Sequence, residues 1–557
     1  MSKTPRAAQN AATKAAPKPG GLIRSSAIFA GLTLVSRVMG LVRDLVITAR
    51  LGASQTIAAD AYYTALAFPN LFRRIFAEGA FAAAFVPMYS RKLAGSGEGG
   101  DGEEDADRFA SDAAATVAVA TVAVMLAAQL AMPWLMYVIN PGYVDDPAKF
   151  RLSWMLTQVT MPYLPCMALA ALFSGVLNAR GRFIVSAAYP TILNLVMLAM
   201  VLPQHDPVRA AWWASAGVVI AGVGQAGICW WGARRTGARL RLVRPRLTPE
   251  MRNLIRLAVP AAIANSATQI NIFISGILAS QIAGMRVWMT VADRLYQLPM
   301  SLVGVAIGVA LLPRLSQSLQ RDDHADAQAA MDQGVVFALA LSLPAAAALM
   351  ALPVWLIDGF FTRGEFTLKD AEATGALLFH YGWGVPAFVL LRILQPAFFA
   401  RQDTKTPMRF SLISVAVNIA LGVGLFWLLG FQGVAIATSV AAWVTVLQMW
   451  ITLTRRNVWT PSARAGGKIV RVSVASAALG GILFAAALLR PQIEGAIGGL
   501  LPGGHGAKEV AILLVSAAGL ALYPALLFAS GGITPAEARA AFRRRRGDPA
   551  ATPADMG

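Results

Sequence analysis

Charge is what this chain has least of. Only 14% of its 557 residues are Asp, Glu, Lys or Arg, where a soluble domain carries about a quarter, and mean hydropathy is +0.57. That balance excludes a soluble enzyme and points to a polytopic helical membrane protein. Cysteine is nearly absent: the 2 present, Cys166 and Cys229, both lie in apolar runs, which excludes a disulfide framework and a thiolate metal cluster. The 4 histidines, His205, His324, His380 and His505, are scattered over loops and span ends. No Gly-x-x-x-x-Gly-Lys-Ser/Thr loop, His-Glu-x-x-His or Cys-x-x-Cys occurs, so no ATPase of the chain's own, no metal and no cofactor is expected. Acidic residues are scarcer than basic ones, and the net charge is +19. The basic residues do not gather into a domain with interleaved aromatics, which argues against nucleic acid as a partner.

Long apolar runs are what the chain does have. A bilayer core needs about 20 apolar residues per helix. Fourteen such stretches are predicted, at 24–49, 60–90, 110–139, 152–178, 183–203, 210–233, 252–281, 288–316, 331–357, 372–399, 407–429, 432–454, 468–489 and 507–529. With the N-terminus in the cytoplasm, the inside loops and tails collect most of the Lys and Arg, notably Arg234 to Arg252, Arg455 to Arg471 and Arg543 to Arg546. This positive-inside bias supports an even number of spans with both termini cytoplasmic. The polar, basic residues 1–23 contain no cleavable signal and read as a cytoplasmic tail, as do residues 531–557.

An internal repeat divides the spans. Gly217-Val-Val-Ile-Ala221 resembles Gly433-Val-Ala-Ile-Ala437, and both helices end in paired arginines, Arg234-Arg235 and Arg455-Arg456. Ala179-Arg180 parallels Ala400-Arg401, each followed in the next helix by an asparagine, Asn194 or Asn418. Phe68-Pro69 with Val86-Pro87 parallels Leu298-Pro299 with Leu312-Pro313, at nearly the same offset. Two six-helix bundles are therefore expected, 24–235 and 252–456, joined by a basic linker at 236–251. The last two spans, within 457–530, are appended. Repeats of this kind are common in transporters.

Seven arginines, and no lysine, interrupt the predicted spans: Arg37, Arg43, Arg73, Arg74, Arg256, Arg294 and Arg392. A cation at the bilayer centre costs roughly 2.5–3.5 kcal/mol on insertion scales, so each needs a partner or a function. Arg256 and Arg392 lie nearer span ends and are expected to snorkel. Arg74 forms an i,i+4 pair with Glu78. Asp44 neutralises one of Arg37 and Arg43, and the seven-residue spacing of Arg37 and Asp44 on one helical stripe favours Arg37. Arg73 projects away from the Arg74–Glu78 pair. Asp293 and Arg294 are adjacent, so they point apart and Arg294 faces a cavity. Asp60, at the start of the second span, is an interfacial residue or part of a gate. An arginine fork suits bidentate capture of phosphate oxygens. The expectation is a cavity between the bundles that binds an anionic cargo through Arg43, Arg73 and Arg294.

Ser36-Arg-Val-Met-Gly-Leu-Val-Arg-Asp44, Phe68-Pro-Asn-Leu-Phe-Arg-Arg-Ile-Phe-Ala-Glu-Gly-Ala-Phe81, Ala292-Asp-Arg294 and Phe399-Ala-Arg-Gln-Asp-Thr-Lys-Thr-Pro407 resemble the signature segments of the MurJ (MviN) family. Those are lipid II flippases of the multidrug/oligosaccharidyl-lipid/polysaccharide exporter superfamily. The resemblance spans residues 24–530. It implies an all-α fold of fourteen transmembrane helices in the bacterial inner membrane. The implied activity is alternating-access transport of the undecaprenyl-pyrophosphate-linked peptidoglycan precursor, with the last two spans forming a lipid-tail groove. Lipid II and membrane lipids are the implied partners, with cell-wall synthesis enzymes as candidate protein partners. By resemblance Arg43, Arg73 and Arg294, with Arg37, match headgroup-binding positions, and Ser36, Asp44, Asp60, Asn70, Glu78, Asp293 and Gln297 match gate or supporting positions. Ala67 and Gln297 stand where some members carry Lys and Glu. The competing readings are an exporter of another polyprenyl-linked glycan or of drugs, and a non-transporting cell-wall scaffold.

Overall fold

A computed structural model describes residues 19–76, 80–95, 102–241, 243–321, 323–501 and 506–532, and among these the regular structure is helical throughout. Ten segments are long and apolar enough to cross a membrane. They coincide with the expected spans from 110–139 to 210–233 and from 331–357 to 507–529. The four other expected spans fall on α1 (Pro19–Leu51), on α2 (Ile57–Phe76) with α3 (Ala80–Ala94), on α9 (Pro249–Ala279) and on α10 (Met285–Gln320). Apolar side chains face outward: Leu130 is 77% exposed, Trp427 77% and Leu520 79%. Such surface is stable against acyl chains and not against water.

Helix starts follow local chemistry. Asp206 accepts from the Arg209 amide with Pro207 in the first turn, Asp146 likewise caps Lys149 ahead of Pro147, and Ser462 caps Ala465. Each cap satisfies an amide that the first turn leaves without a partner. In the loop before α15 (Lys405–Leu429), hydrogen bonds from the hydroxyl and amide of Thr406, together with the Arg456 guanidinium, hold the Asp403 carboxyl down to about 2.

Two spans expected to be continuous are broken. Residues 152–178 form α5 (Pro147–Thr160) and α6 (Tyr163–Ala179), separated at Met161–Pro162. Residues 372–399 form α13 (Leu368–Gly382) and α14 (Val385–Phe399), separated at Trp383–Gly384. A break inside a membrane releases backbone groups that must find partners. At the second break the Ser439 hydroxyl donates to the His380 carbonyl (2.7 Å) and Trp443 Nε1 to the Trp383 carbonyl (3.0 Å). Both donors lie on α16 (Gln432–Arg455). The repeat partner of α16 is α8 (Pro207–Arg235), and it packs on the first break: a Cβ at Gly222 would meet the Tyr163 ring at 2.6 Å. The breaks thus recur at equivalent places in the two halves of the repeat.

The chain divides into two compact units. The first comprises Met1–Leu51, Ala61–Val138 and Asp146–Ser266. Its core joins α3, α4 (Gly102–Ile139), α6 and α8 around Phe85, Phe109, Leu172, Val176 and Cys229. At the edge of that core lies a buried ion pair, Arg180 to Asp107 at 2.7 Å, each side chain 6% exposed. The Tyr89 hydroxyl donates to the same carboxylate (3.2 Å) and accepts from Arg180 Nε (2.8 Å).

The second unit comprises Gly52–Asp60, Ile139–Asp145 and Ala267–Gly557. In it, α17 (Ala463–Leu488) and α19 (Ala507–Ala529) pack on α11 (His324–Ala351) and α12 (Pro353–Phe361) through Trp355, Leu479, Ile512 and Leu527. The Tyr523 hydroxyl donates to the Ala340 carbonyl at 2.7 Å. Asp358 binds Arg490 and, at 3.3 Å, Lys508; burial pushes its carboxyl up, but hydrogen bonds from Arg490 and Thr362 and the charges of Lys508 and Arg490 hold it below the usual range.

Removing one member of a buried ion pair leaves the other without compensation. Asp107→Ala is expected to destabilise the protein by about 3–5 kcal/mol. Asp107→Ala combined with Arg180→Met is expected to recover part of that loss. Unfolding of the purified variants in detergent checks both.

Candidate functional site

In the first unit the site is built around α1. Thr48 donates to the Asp44 carbonyl (2.8 Å), one turn back along an apolar helix. The Arg43 guanidinium turns along the axis to its immediate neighbour: Nε and Nη2 donate to Asp44 Oδ1 at 3.0 and 2.6 Å. Nη1 donates to Asn194 Oδ1 at 3.0 Å. Asn194 lies on α7 (Phe183–Val201) and returns a bond from Nδ2 to the Ser36 carbonyl at 2.9 Å. Gly40 sits beside it, and even a Cβ there would touch the Asn194 amide at 3.8 Å.

This differs from the expected pairing. Asp44 is buried and takes Arg43, whereas Arg37 is exposed. Angular spacing along a helix treats a side chain as a radial spoke, but an arginine stem is long and flexible enough to fold back onto the next residue. Three of the five guanidinium N–H groups are committed, and among the described residues one N–H on each terminal nitrogen is left. Sequence reasoning noted Asn194 only as a repeat marker. An asparagine in an apolar helix was the available signal, since an unpaired amide is costly there.

Of the other expected site residues, Arg73 and Arg74 lie on α2, but their side chains are outside the described set, and Glu78 is outside it altogether. The Arg74–Glu78 pairing therefore falls outside the description. Asn70 is half-buried on α2. On α10, Asp293, Arg294 and Gln297 are all half-buried, and the Gln297 amide donates to the Asp293 carboxylate one turn back. Arg256 and Arg392 are exposed.

The second unit holds a cluster of loop contacts around Asp60. That residue is fully buried, and its Oδ2 accepts from the Gly284 amide at 3.0 Å. Gly284 has φ +83, and a Cβ there would meet the Ser54 nitrogen at 2.7 Å, so the position requires glycine on both counts. Asp370, equally buried, accepts at Oδ1 from the Ser54 amide and from Trp288 Nε1, both 3.0 Å, while its Oδ2 caps its own helix at Thr367. Gly142 donates its amide to Ser280 Oγ at 3.2 Å. The Arg286 guanidinium binds the Asn140 side chain and, at 2.8 Å, the Gly276 carbonyl. Two short segments from the first half of the chain, Gly52–Asp60 and Ile139–Asp145, are thereby held on loops of the second half. Asp370, Gly284 and Trp288 carried no sequence signal, because their bonds join positions far apart in the chain and two of those bonds use backbone amides, of Gly284 and Ser54.

No group of three or more His, Cys, Asp or Glu placed to hold a metal ion occurs among the described residues. The chemistry available is arginine hydrogen bonding in an apolar surround, and a loop cluster held by carboxylate-to-amide bonds.

Comparison with known proteins gives these arrangements a context. The family model described as "Lipid II flippase MurJ" matches residues 47–501. A "Probable lipid II flippase MurJ" of Rhizobium tropici is 38% identical, covering 95% of this chain and 98% of the relative. One of Rhizobium meliloti (strain 1021) is 37% identical, covering 94% and 96%. Among solved structures, "Lipid II flippase MurJ, inward closed conformation" is similar with TM-score 0.71 and 22% identity, over 89% of this chain and 97% of that one. An inward-facing multidrug resistance MATE family transporter of the MOP superfamily is similar with TM-score 0.59 and 13% identity, over 77% and 97%.

The loop cluster makes a prediction of its own. Gly284→Val places a branched side chain against Ser54 and is expected to open the cluster. The check uses protein in detergent with Cys166 and Cys229 replaced by Ser and a probe cysteine at the fully buried Ala58. A water-soluble maleimide should react with Ala58→Cys faster when Gly284→Val is also present.

Proposed function

The chain belongs to the lipid II flippase MurJ family, and from that premise we propose how its residues carry lipid II from the inner to the outer leaflet of the bacterial cytoplasmic membrane. The observation that carries the reading is the Arg43 guanidinium. It is placed on an apolar helix, balanced by Asp44, oriented by Asn194 and left with one N–H on each terminal nitrogen. Two such N–H groups on one planar guanidinium suit the oxygens of a phosphate.

With no cargo, Asp44 offsets the charge of Arg43 and the pair is tolerable in a low-dielectric surround. An arriving pyrophosphate supplies further acceptors and strengthens the hold on the fork. Arg73 and Arg294 are the other basic contacts in this reading, with Arg37 near the entry. The polyprenyl tail stays in acyl surroundings along α17 and α19, and the headgroup crosses in water. The protein works as a transporter with fourteen crossings and both termini in the cytoplasm. It performs no chemistry on its cargo and uses no cofactor.

The Asp60 and Asp370 cluster acts as a latch at the outer end of the helices. Its bonds run from carboxylates to backbone amides and indole, so it parts without breaking an ion pair. Alternating access requires that latch to open when the headgroup leaves.

Arg43→Ala is expected to weaken headgroup binding by about 10–100-fold, the range for losing hydrogen bonds to a charged group. Arg43→Lys should not restore it, because a point charge lacks the fork. Arg256→Ala and Arg392→Ala should be tolerated. Cells depleted of the protein and complemented with each variant test this, scored by whether lipid II is degraded by an agent added outside. Survival of lipid II accessibility in Arg43→Ala cells would remove Arg43 from the mechanism.

The membrane potential bears on the same step. An inside-negative potential is worth about 2.3 kcal/mol per charge per 100 mV and favours outward movement of an anion. Outward transport is expected to slow when the potential is dissipated, and an undiminished rate in fully depolarised cells contradicts this coupling.

A further inference from the structure

At the end of α8, far along the chain from the residues above, the sequence Trp230-Trp231-Gly-Ala-Arg234-Arg235 runs into a short loop carrying Arg239 and Arg241. All six of these aromatic and basic side chains are exposed. Arg235 lies over the Trp231 ring at 4.0 Å and Arg234 over the Trp230 ring at 5.0 Å. A guanidinium stacked on indole keeps its N–H groups at the rim, directed sideways and available to acceptors. Among the described residues, none of Arg234, Arg235, Arg239 and Arg241 forms an ion pair with a carboxylate.

The loop itself is fixed from behind. Asp107 Oδ2 accepts from the Arg239 amide at 2.6 Å, and Ser111 Oγ from the Arg241 amide at 3.1 Å. Arg180 Nη1 donates to the Thr236 carbonyl at 3.0 Å. Gly237, at φ +92, makes the turn. The only acid in these contacts, Asp107, is already neutralised by Arg180 and committed at both oxygens. The main chain is thus held inward while the Arg239 and Arg241 side chains stay outside. The result is a cavity of about 380 Å³ lined by Arg234, Gly237, Ala238, Arg239, Leu240 and Arg241.

The approach to that cavity is apolar. Ile220 and Val223 are exposed on α8 about three and two turns before the tryptophans, at 50% and 59%. On a helix this spacing continues the surface through Trp231 to Arg235. An acyl-facing stripe therefore ends at an indole pair, the residue type enriched at the membrane interface, and then at cations. A soluble phosphate has no use for the stripe; a phospholipid uses both parts.

We propose that this cavity binds the phosphate of an anionic phospholipid, whose acyl chains lie along the Ile220 to Trp231 face. The lipid holds α8 and the loop after it at the membrane surface, beside the Asp107–Arg180 pair that anchors the same loop.

The test is native mass spectrometry of the full-length protein in detergent with phosphatidylglycerol or phosphatidylcholine added. The expected result is retention of phosphatidylglycerol over phosphatidylcholine. Arg239→Gln with Arg241→Gln should reduce that retention by about tenfold or more, from roughly 1 kcal/mol per interfacial arginine. Arg244→Gln with Arg246→Gln removes the same charge from the same linker outside the cavity and should leave retention unchanged. Equal losses for the two pairs would mean general charge attraction and overturn the proposal, as would equal retention of both lipids. Inorganic phosphate at millimolar concentration should not displace the lipid. Displacement would assign the cavity to free phosphate instead. Unfolding curves of the two variant pairs, matched to the parent, exclude loss of fold as the cause.

Discussion

In hydrocarbon a backbone or side-chain polar group has no water to fall back on, and the rest of the molecule is arranged around that constraint. It dictates helices, because a helix satisfies its own backbone. It also dictates where helices are allowed to stop. The breaks at Met161–Pro162 and Trp383–Gly384 occur inside spans, yet the second is closed by Ser439 and Trp443 from the helix alongside. The same requirement explains Asn194, an amide in an apolar helix whose oxygen and nitrogen are both used. Asn194, Ser439 and Trp443 are spent on partners in neighbouring spans, and those bonds tie the helices together.

Much of this was legible in the chain, and the limits have physical reasons. Ten spans were readable because mean hydropathy over a long window reports a bilayer-facing surface directly. The helix breaks were not, since a window of that width averages over two residues of backbone geometry. Arg43 was identified as special from its cost, and its pairing with Asp44 was open but ranked behind that of Arg37. Helical-wheel reasoning sets adjacent residues apart, whereas the 2.6 Å contact with Asp44 depends on the reach of a flexible stem. The Asp60 and Asp370 contacts were beyond reach for another reason. Their acceptors are named in the sequence, but their donors are amides of Gly284 and Ser54, and an amide has no letter of its own.

The internal repeat shows the constraint met twice by different means. Arg180 and Arg401 close equivalent helices. Arg180 is buried against Asp107, while Arg401 is half-buried, donates to the Ala397 carbonyl, and burial lowers its affinity for the proton. In the second half the acids have moved: Asp326 pairs with Arg314 at 2.5 Å and Asp403 with Arg456 at 2.7 Å. The helices and their breaks are retained, and the charged fastenings at their ends are not. Shape is repeated because it follows from backbone satisfaction, which is indifferent to which side chain supplies the bond. Charge placement is free to diverge, and the first half has used that freedom to hold a loop of arginines outward.

The same logic bears on why the intramembrane cations are arginines. A lysine in place of Arg43 could balance Asp44, but it would bring a compact, strongly hydrated charge with no fixed geometry. A guanidinium gives Asp44 and Asn194 three hydrogen bonds on one plane and still presents N–H groups in that plane. The resting pair is therefore close to neutral and stable in an apolar surround. In the role proposed above, Asp44 stays on the guanidinium as a competing acceptor, so an arriving phosphate would not face a bare cation in low dielectric, and binding would be held to a strength from which the cargo could leave.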